Sequence, residues 1–173
     1  MKTIRKVIGC VVFTLAAICI CSQSTFAQQE KGDKEVEVNG FVFATVAGDQ
    51  KEGGGNIGLG LGYFITQRSE IGAGMDLTIL RAGGEFSVDA GVRGFYRYNF
   101  ARTGKKAYPY IDLSMFIEDV KHPGDNTYAE SSFGVKYFFK KNTAFDMNFG
   151  YGFLVKDPGQ GAIIGRFGLA FIF

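Results

Sequence analysis

Gly58 to Met75 reads GLGLGYFITQRSEIGAGM, and the fold turns on how its residues alternate. Ile57, Leu59, Leu61, Tyr63 and Ile65 share one parity, and Gly58, Gly60, Gly62, Phe64 and Thr66 share the other. After the polar trio Gln67-Arg68-Ser69 the pattern resumes, with Ile71, Ala73, Met75, Leu77 and Ile79 opposite Gly72, Gly74, Asp76 and Thr78. Successive side chains of an extended strand point to opposite faces. The stretch is therefore a hairpin with one apolar face and one face of glycine and small polar groups. A helix would need an apolar stripe recurring every 3.6 residues, and no stretch of helical length here carries one.

The same period recurs on both sides of this hairpin. Upstream, Val36, Val38, Val42, Ala44 and Val46 oppose Glu37, Asn39, Phe41, Phe43 and Thr45. Downstream, Phe86, Val88, Ala90, Val92, Tyr96 and Tyr98 oppose Ser87, Asp89, Gly91, Arg93 and Arg97, and then Ile111, Leu113, Met115 and Ile117 oppose Asp112, Ser114, Phe116 and Glu118. Three more runs follow: Ala129 to Phe139 against Glu130, Ser132, Gly134 and Lys136; Phe145 to Phe153 against Asp146, Asn148, Gly150 and Gly152; and Ile163 to Phe173 against Arg166, Gly168 and Ala170. The total is eight strands, separated by turn residues: Gly48-Asp49 with Gly53-Gly54-Gly55, Ala82-Gly83-Gly84, Arg102 to Lys106, His122 to Asn126, Lys140-Lys141-Asn142 and Asp157-Pro158-Gly159. The reading is an all-β domain over 35–173, an eight-stranded antiparallel up-and-down barrel.

The segment 1–27 reads as a cleaved signal peptide. Lys2, Arg5 and Lys6 precede the apolar run Val7 to Ile20, and Thr25-Phe26-Ala27 offers a small-x-small cleavage site between Ala27 and Gln28. Residues 28–34 read as a flexible polar lead-in. Cys10, Cys19 and Cys21 all fall in the signal, which leaves the mature chain without thiol or disulfide chemistry. The mature chain balances 16 Lys plus Arg against 17 Asp plus Glu, so no charge excess points to nucleic acid.

An eight-stranded barrel can turn its apolar face inward, as a soluble ligand-binding cup does, or outward to lipid. Lysine decides for lipid, because a solvent-facing sheet should be rich in it. Of the ten lysines after the signal only Lys136 is mid-strand, the rest falling in the lead-in or in or beside connections, and the polar face is glycine with Asp, Glu and Arg. Such a face suits a narrow lumen in which carboxylates meet guanidinium groups. The expected lumen network is Glu37, Asp76, Asp89, Arg93, Arg97, Asp112, Glu130, Lys136, Asp146 and Arg166. Tyr63, Tyr96, Tyr98, Phe100, Tyr108, Tyr110, Tyr137, Phe139, Phe145 and Phe173 cluster by the even-to-odd turns and the C-terminus, as an interfacial girdle would.

With the hairpins GLGLGYFITQRSEIGAGM and SFGVKYFFKKNTAFDMNFGYGF (Ser132 to Phe153) and the last strand RFGLAFIF (Arg166 to Phe173), the chain resembles the small OmpA/OmpX-type outer-membrane β-barrel proteins. The resemblance implies a transmembrane barrel in the bacterial outer membrane, a monomer whose partners are outer-membrane lipids, lipopolysaccharide and the insertion machinery. It makes Phe167, Phe171 and Phe173 the assembly signal and turns the short connections to the periplasm. Nothing follows the barrel strand, so no cell-wall-binding domain is expected.

No residue cluster amounts to an active site, cofactor site or metal site. The single histidine, His122, sits in a Pro-Gly-Asp turn, and a lipid A-modifying enzyme would need it to meet Ser131 or Ser132. Asp49, Glu52, Asp125 and Asp157 have no diagnostic cation-binding spacing. The expected function is non-enzymatic: envelope integrity or surface interaction, with a lumen plugged by charged side chains. The alternatives are a periplasmic lipocalin-like binding barrel, a narrow ion channel, and a lipid A-modifying enzyme.

Overall fold

The computed structural model describes residues 29–45, 52–82, 85–100, 105–117, 127–159 and 161–173. The signal segment with Ala27 and Gln28, and the loop residues Asp49, His122 and Asp125, lie outside them. Eight strands are present: β1 (Lys34–Thr45), β2 (Glu52–Phe64), β3 (Ser69–Ala82), β4 (Glu85–Asn99), β5 (Ala107–Ile117), β6 (Thr127–Lys140), β7 (Thr143–Leu154) and β8 (Gly161–Ile172). Each pairs antiparallel with the next, and β8 returns to β1, so the sheet is a closed barrel.

Register follows the two-residue period. In the β2–β3 hairpin Ile57, Leu59 and Leu61 sit across from Leu77, Met75 and Ala73, while Gly58, Gly60 and Gly62 sit across from Asp76, Gly74 and Gly72. A slip of one residue would exchange the two faces over the whole hairpin, so burial of the polar face fixes the pairing. Carried around the ring through Gly62, Gly72, Phe95, Ser114, Glu130, Gly152 and Ala162, the level of Glu35 returns about ten residues along β1. Such a stagger accompanies the strand tilt of roughly 35–45° that closing a sheet demands.

The apolar face points outward on every strand whose side chains are described. Leu61 is 62% exposed, Met75 61%, Phe133 55% and Phe149 60%. The inward face carries Glu, Asp, Asn, Arg and Lys, nearly all buried. A lipocalin-like cup requires the opposite arrangement. At the short-turn end the lumen is closed by a small apolar floor of Phe64, Tyr108, Phe138, Ala144, Ala170 and Ile172, with the Tyr108 and Phe138 rings edge to face at 5.1 Å.

Three expectations are corrected. Gly53-Gly54-Gly55, expected in a turn, belong to β2 and pair with Ala44, Phe43 and Val42 on one side and Arg81, Leu80 and Ile79 on the other. Glycine marks a turn only where no ladder is on offer, and here both neighbouring strands claim the backbone. Gln29 to Asp33, expected as a flexible lead-in, is held against the short-turn end: Gln29 is fully buried, and the Gly32 amide donates to the Phe64 carbonyl at 2.8 Å. Gly32 itself has a φ of +99°, which a β-carbon would oppose. Tyr108 and Tyr110, expected in the aromatic girdle, point inward and are fully buried, because they share the parity of Asp112. Tyr63, Tyr96, Tyr137, Phe145 and Phe173 do face outward.

Candidate functional site

The inward face of a strand places a side chain every second residue, about 7 Å apart, and eight such rows crowd into a lumen with little spare width. Glycine resolves the crowding. A β-carbon on Gly62 would overlap the Glu70 carboxylate, one on Gly72 the Phe95 ring, and one on Gly134 the Tyr110 ring. Each bare α-carbon is the space that a large side chain on the neighbouring strand occupies.

Arg97, on β4, is the centre of what those glycines make room for. Its side chain is fully buried. Nε meets Asp112 Oδ2 at 3.1 Å, Nη1 meets Glu35 Oε1 at 3.0 Å, and Nη2 meets Glu37 Oε2 at 2.8 Å. Glu70 and Asp146 approach Nη1 at 3.5 and 3.9 Å. The guanidinium plane also lies over the Tyr110 ring, 4.5 Å from its centroid, with Phe95 at 5.1 Å. The planar fork can serve several carboxylates in fixed directions while its face rests on an aromatic ring, which an ammonium cannot do.

Around this centre the remaining groups interlock. Lys136 Nζ donates to Glu35 Oε1 at 2.6 Å and reaches Glu70 Oε2 at 3.3 Å. The Tyr110 hydroxyl donates to Asp146 Oδ1 at 2.6 Å and accepts from Asn148 Nδ2 at 3.3 Å. Toward the long-loop end, Arg93 lies 3.5 Å from Glu37 and 3.9 Å from Asp76, and Arg166 forms a two-pronged pair with Glu130, one contact at 2.7 Å. Among the described residues the buried carboxylates are Glu35, Glu37, Glu70, Asp76, Asp112, Glu130 and Asp146, against Arg93, Arg97, Lys136 and Arg166: seven acidic groups to four basic ones.

Of the expected lumen residues, Glu37, Asp76, Arg93, Arg97, Asp112, Glu130, Lys136, Asp146 and Arg166 are all inside the barrel and buried. Asp89 is not. It is exposed, opposite Thr78, on the part of β4 that runs past the end of β5, whose pairing begins at Val92. Its parity is right, but the wall that would bury it stops short. Glu35, Glu70 and Tyr110 belong to the network and were missed. Glu35 and Glu70 have the parity of Glu37 and Asp76, but each lies at the first turn of its strand, where a polar residue reads as a connection.

Oxygens of Glu35, Glu37 and Asp146 lie within 4.8 Å of one another, close enough to ligate a cation. Arg97 and Lys136 already neutralise that corner, so the donor set suits an internal salt-bridge network better than a metal. Ser131 faces outward and Ser132 inward, so the two hydroxyls that a His122-dependent enzyme would draw on lie on opposite sides of the wall. Phe167 and Phe173 are exposed on the outer face of β8 and at the chain end, and Phe171 is half-buried.

No family model matches the sequence, and no curated protein matches it. Among solved structures, the fold is similar to the N-terminal β-barrel domain of Pseudomonas aeruginosa OprF, at 18% identity and a TM-score of 0.61, over 84% of this chain and all of that one. It is also similar to a de novo designed transmembrane β-barrel, at 14% identity and a TM-score of 0.51, over 84% of this chain and 99% of that one. Two barrels with little sequence in common share the eight-stranded closed architecture with this chain, and it is the architecture that the likeness establishes.

Proposed function

We propose that the chain is a non-enzymatic bacterial outer-membrane barrel whose interior is a plug, serving envelope integrity or interaction at the cell surface. The observation that carries this reading is the inversion of the barrel: a nearly uncharged apolar wall outside and a salt-bridged network inside. Water penalises a contiguous apolar surface of this size, whereas a bilayer accepts a closed barrel because every backbone group is paired within the sheet. The apolar floor and the packed charges argue for a plug over an ion path. The partners on this reading are outer-membrane lipids, lipopolysaccharide and the insertion machinery, the last through Phe167, Phe171 and Phe173.

Fractionation of cells expressing the full chain, followed by electrophoresis with and without boiling, tests the reading. Recovery in the outer membrane with a band that shifts on boiling is the expected result, and planar bilayers should then show no steady conductance. Recovery as a water-soluble periplasmic protein would end it.

A substitution on the wall gives a second, quantitative check. Met75 is 61% exposed in the middle of β3, flanked by Leu59 and Val92. Met75→Arg is expected to cost about 2–4 kcal/mol of folding stability in lipid vesicles, the cost of a guanidinium near the bilayer midplane. Urea titration in vesicles measures it. An unchanged midpoint would mean that this face does not contact lipid.

A further inference from the structure

Above the charged plug, at the long-loop end of the lumen, lies a cavity of about 430 Å³. Its wall is apolar, formed by Phe41, Phe116, Tyr128, Leu154 and Ile164, and its polar lining is Asn56, Asp76, Thr78, Glu130 and Arg166. The size and the mix, a mostly apolar surface with a few convergent polar groups, are those of a small-molecule site.

The polar groups are not all satisfied. Asn56 is 8% exposed and Asp76 3%, yet Asn56 Oδ1 and Asp76 Oδ1 have no hydrogen-bond donor. Asn56 spends its Nδ2 on Thr78 Oγ1 at 3.1 Å, which fixes its oxygen as the free end. Asp76 has only Arg93, at 3.9 Å, on its other oxygen. Asp76 Oδ1 packs over the bare α-carbon of Gly58, where the nearest neighbour is Asn39 Oδ1, another acceptor that does not line the cavity, so that side of the carboxylate gains no donor either. Asn39 turns its Nδ2 to Glu37, so its oxygen is the end that faces Asp76. Buried acceptors without donors each forgo a hydrogen bond worth having, and an aspartate does so most.

The electrostatics point the same way. Arg166 is engaged by both oxygens of Glu130, and Asp76 is left with Arg93 alone, at 3.9 Å and shared with Glu37 at 3.5 Å. We infer that this cavity binds a small organic cation with an apolar or aromatic body: an ammonium head set against the Asp76 carboxylate, and a body lying against Phe116, Leu154 and Ile164. An anionic head would meet Asp76 and Glu130 unfavourably, and a neutral head would leave Asp76 with only its long pair to Arg93. The inference goes beyond the proposed envelope role and does not depend on it.

The test uses the full-length mature barrel in neutral maltoside micelles, titrated with 2-phenylethylammonium, 2-phenylethanol and 3-phenylpropionate and followed by ligand-observed NMR and calorimetry. Saturable binding of the amine is expected, with the alcohol weaker and the carboxylate undetected. Asp76→Asn should weaken the amine at least about tenfold, the loss of one charge-assisted hydrogen bond, and Ala162→Phe, which fills the cavity without changing its charge, should abolish binding. Retention of the boiling-dependent band shift shows that each variant is folded, and if Asp76→Asn fails to fold, Ala162→Phe alone decides. Equal binding of the three compounds, an amine affinity unchanged by either folded variant, or no amine binding to the wild-type barrel would overturn the inference.

Discussion

Arg97→Ala is expected to destabilise the folded barrel by about 3–5 kcal/mol, the cost of leaving buried charges without their partner. The wild-type guanidinium contacts Glu35, Glu37 and Asp112 directly and sits within 4 Å of Glu70 and Asp146. Removing it leaves these five carboxylates with Lys136 and Arg93 as the nearest cations, in a region already richer in acid than base. Arg97→Lys should recover only part of the loss. One ammonium cannot reach carboxylates on β1 and β5 in the same directions, and it forgoes stacking on Tyr110. Urea midpoints read from the boiling-sensitive band in vesicles measure both variants. If Arg97→Ala unfolds at the wild-type midpoint, the network is decoration and the barrel is held by its wall alone.

Gly62→Val is the second large effect, and it sets two rules against each other. Strand propensity favours valine over glycine by up to about 1 kcal/mol. Position 62 faces inward, however, and a β-carbon there overlaps the Glu70 carboxylate, which Lys136 and Arg97 hold at 3.3 and 3.5 Å. Overpacking costs about 1–3 kcal/mol, and pushing Glu70 off its cations adds an electrostatic cost to that. The net expectation is a loss of about 2–3 kcal/mol or failure to fold. Gly94→Val is the matched contrast, since Gly94 is exposed on the outer face and a β-carbon there meets nothing within 4 Å. It should be neutral or stabilising. A stable Gly62→Val barrel would show that the lumen has slack which the static packing does not reveal.

Strand number, order and facing were legible in the sequence because one physical rule, alternation of side chains, acts at every position from Val36 to Phe173. The residues that escaped it sit where that rule loses its grip. Gly53 to Gly55 carry no side chain to show a face, so their strand membership is visible only once both neighbours are in place. Glu35 and Glu70 begin their strands, and a charged residue beside a turn has an ordinary explanation already. Tyr108 and Tyr110 were read by their nearness to a turn and not by their parity with Asp112, which places them inside. Asp89 is the reverse case: parity was right, but it cannot tell how far a neighbouring strand extends. The cavity was beyond reach, since it arises where side chains of β1, β2, β3, β5, β6, β7 and β8 fail to fill a common space.

The ring is closed by its shortest seam. β1 and β8 are in register over six residue pairs, Glu35 with Ile172 through Gly40 with Phe167, and Lys34 and Phe173 exchange backbone hydrogen bonds of 3.0 and 2.8 Å at its end. Every other strand pair is a hairpin of sequence neighbours, whereas this one spans nearly the whole chain. Non-local contacts of that kind are slow to form. They also carry an asymmetric liability: a chain stalled before closure is an open sheet with two bare edges, each able to template the pairing of another molecule. The last dozen residues therefore govern more than the eighth strand. They decide whether the product of synthesis is a closed barrel or an aggregation-prone sheet.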